Sequence, residues 1–178
     1  MNLLTTIRDS DLIPGAVDAD PTNYSTREAA RAIVLDDLNQ VALLKVGQHN
    51  YFKLPGGGIE EGEDVRVALS RELLEEIGCE AEVIGEVGEI VQLLDKKQLR
   101  QTSYCFLAKQ IGEKNPPDFT DEELADGFEI RWTKDIDEAI ALLEHSKTDD
   151  YSGQSIVKRD LTLLIAAKKL INELNLVS

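Results

Sequence analysis

Cysteine, aromatic residues, proline and long apolar runs are all scarce in this chain of 178 residues, and each scarcity closes off a class of structure. The two cysteines, Cys79 and Cys105, are too few and too far apart for a disulfide scaffold or a four-ligand zinc site, so both read as reduced, buried thiols. The longest apolar stretch, Leu163-Leu164-Ile165-Ala166-Ala167, falls far short of the roughly 18 residues of a membrane span. Basic residues are in deficit too. The 19 Lys and Arg against 34 Asp and Glu give a formal charge of −15, which repels nucleic-acid backbones and anionic lipid unless bound cations reverse the sign. Neither a nucleic-acid polymer nor a membrane is therefore expected as a partner. The opening Met1-Asn2-Leu3-Leu4-Thr5-Thr6-Ile7-Arg8-Asp9 lacks the basic start and long apolar stretch of a secretory signal, and a cytoplasmic location is expected.

What is present is an ordinary soluble composition, 42% apolar and 30% charged, at a length that suits one core. Residues 1–27 are rich in turn formers and read as a loosely structured lead-in with room for one short strand. Ala29–Leu35 and Val41–Val46 are strand-length apolar runs around Asp36-Asp37-Leu38-Asn39-Gln40, a hairpin signal. Tyr51–Leu54 extends the pattern until Pro55 and Gly56-Gly57-Gly58 break it. From Asp64 to Ile77 the periodicity turns helical, with Val65, Ala68, Leu69, Leu73 and Ile77 on one stripe, Asp64 as N-cap and Gly78 as stop. Two further strands, about 81–94 and 99–108, are joined by Asp95-Lys96-Lys97-Gln98. Phe128–Trp132 alternates as a strand after an acidic loop, and helices are predicted over about 135–143 and 154–174. The order of elements predicts an α+β sandwich with a mixed sheet, with an extra helix at the C-terminus.

The chemistry concentrates between Gly57 and Cys79. Glu63 follows Gly57 after five intervening residues, Arg71-Glu72 after seven more, and Glu75-Glu76 and Gly78 close the set. On a helix, Glu72, Glu75 and Glu76 stand three and four positions apart, so their carboxylates project from neighbouring points of one face. Their mutual repulsion predicts at least one raised carboxylate pKa, and hard divalent cations relieve it, because Mg²⁺ takes oxygen ligands and shares them with water and phosphates. Such a face beside a glycine-rich loop suits a metal-bridged diphosphate. An acidic run alone is more often a solvated helix face.

The set resembles the Nudix box at every charged and glycine position, with Cys79 where that family usually has an aliphatic residue. The resemblance implies a Nudix-type α/β/α sandwich over about residues 28–145, preceded by the lead-in 1–27 and followed by a helical extension, 146–178, of the same domain. It implies Mg²⁺-dependent hydrolysis, with Mn²⁺ able to substitute, of a small nucleoside diphosphate linked to another moiety. By default that substrate is a nucleoside triphosphate. Glu72 and Glu76 are the first-choice ligands, Glu75 a third ligand or the proton acceptor, and Arg71 part of the catalytic set, chiefly as the partner of Glu63. The metal set further includes the Gly56 carbonyl, Glu63 as an outer contact, and Glu123 from the acidic loop. Gly57 and Gly58 are expected against substrate. Lys158 and Arg159 read as exposed cations beside Asp160, with contact to a substrate phosphate as the alternative. The marks of ADP-ribose, coenzyme A and dinucleoside polyphosphate hydrolases are missing. A non-catalytic nucleotide sensor and an isoprenoid diphosphate isomerase stay open as alternatives, as does a homodimer. Tyr51, Phe106, Phe119 and Trp132 read as core, His49 and His145 as surface.

Overall fold

Alternation along one central strand organises the molecule. In the computed structural model, which describes residues 1–174 and 176, strand β2 (Ser25–Leu35) sends Ala30, Ala32 and Val34 to one side of a sheet and Ile33 and Leu35 to the other. Successive strand side chains point to opposite faces, so a strand buried on both faces reads as the continuous apolar run seen here. The first side is covered by α2 (Val65–Ile77), through Ala68, Leu69, Leu73 and Ile77; the second by α4 (Ile136–Glu144) and α5 (Tyr151–Glu173), through Leu143, Leu163, Leu164 and Ala167. The expected sandwich of helix, mixed sheet and helix is present.

The strands β1 (Leu3–Arg8), β3 (Val41–Val46), β4 (Tyr51–Lys53), β5 (Glu80–Leu94), β6 (Leu99–Ile111) and β7 (Phe128–Thr133) complete a sheet of order β1-β5-β6-β2-β3-β4, with β7 paired to β3. β5 and β6 form the expected antiparallel hairpin, whereas β6 runs parallel to β2 and β1 parallel to β5. The hairpin expected between β2 and β3 is barely one: they share a single pair, Leu35 with Val41, and then diverge, because β3 is occupied by β4 and β7.

The lead-in holds more structure than its turn formers suggested. β1 is an edge strand secured by its main chain, with Ile7 alone in the core, which is why it carries so weak an apolar signal. A short helix, α1 (Asp9–Leu12), follows it, and another, α3 (Asp121–Ala125), lies within the acidic loop. Ile7 and α5 share a core cluster with Ile33 and Leu107. Of the C-terminal extension, residues 175, 177 and 178 lie outside the described residues. Cys79 and Cys105 are both free and buried, and burial pushes the Cys79 thiol up to about 11. No described helix is long and apolar enough to cross a membrane.

Candidate active site

Helix α2 is fixed at both ends. The Asp64 side chain accepts from the Arg66 and Val67 N–H groups at 2.8 and 3.4 Å, and the Gly78 N–H donates to the Leu74 carbonyl. Its apolar stripe then leaves one flank, carrying Glu72 and Glu76, against the Pro55–Gly58 turn. That turn is held edgewise on β2: the Ala32 and Ala30 N–H groups donate to the Pro55 and Gly57 carbonyls at 3.2 and 3.0 Å. The Gly56 carbonyl between them takes no main-chain hydrogen bond among the described residues. Gly56 has φ 123°, and a Cβ there would lie 2.2 Å from the Ala30 carbonyl oxygen, so nothing larger fits. At Gly57 a Cβ would lie 2.1 Å from a Glu72 carboxylate oxygen, which shows how closely the helix and the turn approach.

The three glutamates are not equivalent. Glu76 is turned inward, its side chain only 3% exposed; Lys53 Nζ donates to its Oε1 at 2.8 Å and the Gly56 N–H to its Oε2 at 2.5 Å. Glu72 is 14% exposed, and Glu75 is 47% exposed. The alternative of a merely solvated helix face thus holds at Glu75 and fails at Glu76. A raised carboxylate pKa is present, at Glu76, but the cause differs from the expected repulsion: burial pushes it up, while Lys53 and Arg31 pull it down.

Arg71 ties the loop to the helix. Its Nε and Nη2 donate to Glu63 at 3.2 and 3.1 Å, its Nη2 also to the Gly58 carbonyl at 3.1 Å, and its Nη1 to Glu72 and Glu75 at 2.8 and 3.3 Å. The bidentate fork is the geometry that arginine offers a carboxylate. Through the Arg71 hydrogen bonds, and next the Glu60 N–H, the Glu63 carboxyl is held below its ordinary value.

Other expected contributors stand elsewhere. Glu123 accepts from the Thr120 N–H and hydroxyl at 2.8 and 2.9 Å in a capping box that starts α3, so its carboxylate serves the helix end rather than the glutamate cluster. Lys158 is exposed, in a cleft shared with Asp11, Leu143 and Thr148. Arg159 is not the exposed cation expected: it and Asp160 are buried together, with Arg159 Nε and Nη2 donating to Asp160 at 2.6 and 3.1 Å. Asp160 Oδ2 also accepts from the Leu54 N–H at 2.8 Å, anchoring the strand that enters the glycine turn. Three residues escaped the sequence reading: Lys53, Asp160 and Arg31. Asp160 had a signal, since it falls on the stripe of Asp160, Leu164, Ala167 and Ile171 that faces the core. Arg31 had one as well, as a lone cation inside the apolar run of β2.

Glu72, Glu75, Glu76 and the Gly56 carbonyl offer only oxygen donors, the set that hard divalent cations take. The carboxylates already hold positive charge, Lys53 on Glu76 and Arg71 on Glu72 and Glu75, so the donor chemistry fits a metal. Among the described residues no three His, Cys, Asp or Glu side chains are gathered closely enough to hold an ion as they stand, so binding requires these carboxylates to turn from their present partners.

Comparison with known proteins identifies the family and the fold. The NUDIX domain family model matches residues 25–152. An RNA pyrophosphohydrolase of Sulfurovum sp. (strain NBC37-1) is 47% identical over 58 residues, 32% of this chain and 37% of that protein. A putative 8-oxo-dGTP diphosphatase of Bacillus subtilis (strain 168) is 36% identical over 94 residues, 53% of this chain and 60% of that one. The chain therefore spans less than two thirds of either relative. Among solved structures, the E. coli ORF135 protein superposes with a TM-score of 0.60 at 21% identity, covering 83% of this chain and 91% of that one. The MutT protein from Methanosarcina mazei Go1 does so with a TM-score of 0.55 at 14% identity, covering 82% and 97%. At such identity these two likenesses speak to the fold.

Proposed function

The chain belongs to the NUDIX domain family, whose members generally use divalent metals, and from that premise we propose that it is a pyrophosphohydrolase acting on a nucleotide-type diphosphate. The observation that carries this reading is the junction of α2 with the glycine turn, where Glu72 and Glu76 flank Gly56 and Gly57 within contact distance. Mg²⁺, or Mn²⁺ in its place, would be held by Glu72, Glu76 and the Gly56 carbonyl, with Glu63 at most an outer contact and Glu75 either a further ligand or the proton acceptor. When bound, such an ion neutralises charge that builds on phosphate oxygens and lowers the pKa of water. The chain's own residues do the rest. Arg71 keeps the Glu63 loop on the helix and spaces Glu72 from Glu75, a positioning role given its full set of partners. Glu75, the most exposed of the three, is the carboxylate best placed to accept a proton from incoming water.

The names of the two sequence relatives support a nucleotide substrate, and a nucleoside triphosphate is the default for this chain. The test is a panel of nucleoside triphosphates, nucleotide sugars and isopentenyl diphosphate with purified protein and Mg²⁺, read as phosphate released after phosphatase treatment. Hydrolysis that EDTA abolishes supports the reading. Micromolar binding of one compound with no turnover of any would place the chain among non-catalytic sensors instead.

A further inference from the structure

Apart from its charge, which acts on Glu76, Arg31 takes no hydrogen-bonded part in the arrangement above, yet its main chain lies directly under it. A Cβ on Gly56 would come 2.9 Å from the Arg31 Cα, so the residue forms the floor of the candidate metal-binding turn. Its side chain points to the α5 side of the sheet and is 7% exposed. Its Nε and Nη1 are buried and donate to no acceptor among the described residues. Arg159 next to it is fully engaged, by Asp160 and, at 3.5 Å, by the Gln92 side-chain oxygen. Buried charged donors are ordinarily paired, and one left idle calls for an explanation. Burial and then Arg159 push the Arg31 pKa down to about 10 against the pull of Asp160, Glu76 and Glu72, still far above neutrality, so the buried guanidinium is a cation near pH 7.

The idle guanidinium faces a cavity of about 120 Å³. Arg27, Lys97 and Arg159 join Arg31 on its wall, and Gln101 and Ser152 add polar groups. No carboxylate lines it, in a chain with 34 acidic residues. Sites for drug-sized ligands measure roughly 300–1,000 Å³, so this one suits a single small group and excludes a nucleoside. Guanidinium groups recognise phosphate through parallel N–H donors, the donors that Arg31 has to spare.

We propose that this cavity is an anion site in which Arg31, supported by Lys97 at its rim, holds a phosphate of the substrate other than the two that flank the bond to be cut. The proposal rests on the hydrolase reading and narrows it: the preferred substrate carries an additional phosphate on one of its two halves, reaching past the edge of the glycine turn to the α5 side while Glu72 and Glu76 meet the bond to be cut from the α2 side.

The test begins with inorganic phosphate titrated calorimetrically into the protein in EDTA, where no metal can hold it. Saturable binding is expected, weakened about tenfold or more in Arg31→Gln and a few-fold in Lys97→Gln. Lys97 is exposed, so its variant tests the cavity even if Arg31→Gln folds poorly. Removing an unpaired buried cation should not lower the melting temperature, whereas a purely structural role for Arg31 would. With Mg²⁺ and a hydrolysed substrate, phosphate should inhibit competitively, and Arg31→Gln should cut by about tenfold the preference for a nucleoside triphosphate over the matching nucleoside diphosphate. Absence of phosphate binding, or binding that both variants retain, overturns the proposal. Non-competitive inhibition overturns the substrate assignment in favour of free phosphate as a regulator. Phosphate binding through Arg31 in a protein that cuts nothing in the panel would sink the hydrolase reading and uphold the anion site.

Discussion

The two faces of the central sheet carry charge in opposite ways. On the α2 face, acids and their partner Arg71 come from one loop and one helix, and nearly every donor and acceptor is matched within that unit. On the α5 face, Arg27 and Arg31 from β2, Gln92 and Gln101 from β5 and β6, and Arg159 and Asp160 from α5 meet only because the sheet folds. The first arrangement is local, partly solvated and acidic; the second is non-local, buried and basic. A chain of charge −15 thus keeps its acidic and its basic clusters apart, on either side of Gly56.

The largest effect expected is on turnover. Glu76→Gln should lower it by at least about a hundredfold if Glu76 holds metal. The same change should also lower the melting temperature, because Lys53 and the Gly56 N–H lose a charged acceptor in a buried place. Glu72→Gln should cost similar activity at little stability. Steady-state rates and melts of the two variants, side by side, separate ligand from scaffold; full activity in both would remove the metal from this helix.

Next in size is stability on the other face. Asp160→Ala leaves the Arg159 charge buried without its counter-charge and strips the Leu54 N–H of its acceptor, so a loss of about 3–5 kcal/mol is expected in urea unfolding. Replacing both members by apolar residues should recover most of it. If the single change costs as little as an exposed pair would, the contrast between the two faces is wrong.

Arg71→Ala should be milder, about 1–2 kcal/mol, since its side chain is 30% exposed and solvent screens the carboxylates it releases. Activity should fall together with the melting temperature. A loss of activity without any change in melting would move Arg71 from positioning into the chemistry.

The contrast also explains what the sequence could show. Glu63, Arg71, Glu72 and Glu75 were legible because helix periodicity and a short loop decide their geometry, and α2, β5, β6 and β7 were legible for the same local reason. The inward turn of Glu76 was not, because it depends on Lys53, which arrives from β4. Arg159 was misread because i,i+1 neighbours on a helix share no face, and only the docking of α5 decides which of Lys158 and Arg159 goes inside. β1 escaped in part because an edge strand held by its backbone needs few apolar side chains.

The smallest effect expected is on the pH dependence of stability, where two glutamates of one cluster should act with opposite sign. Glu63 is held below its ordinary value of 4.5, by Arg71 and then the Glu60 N–H; its stabilising contribution is present above that value and is lost as pH falls through the lower, folded one. Glu76 is raised above 4.5 by burial, so between 4.5 and its folded value the folded protein binds more protons than the unfolded chain. Stability therefore declines as pH rises across that window and levels off above it. Melts in EDTA from about pH 4 to 8 should show this shallow decline in the wild type and lose it in Glu76→Gln, while Glu63→Gln should flatten only the acid end. Mg²⁺ should then raise the melting temperature with concentration at neutral pH, because it binds the folded site. The increment should shrink as pH drops into the window where Glu76 takes up its proton. An increment that survives in the Glu72, Glu75, Glu76 triple glutamine variant would mean that the ion sits away from α2, and the acidic face would then be only a solvated helix side.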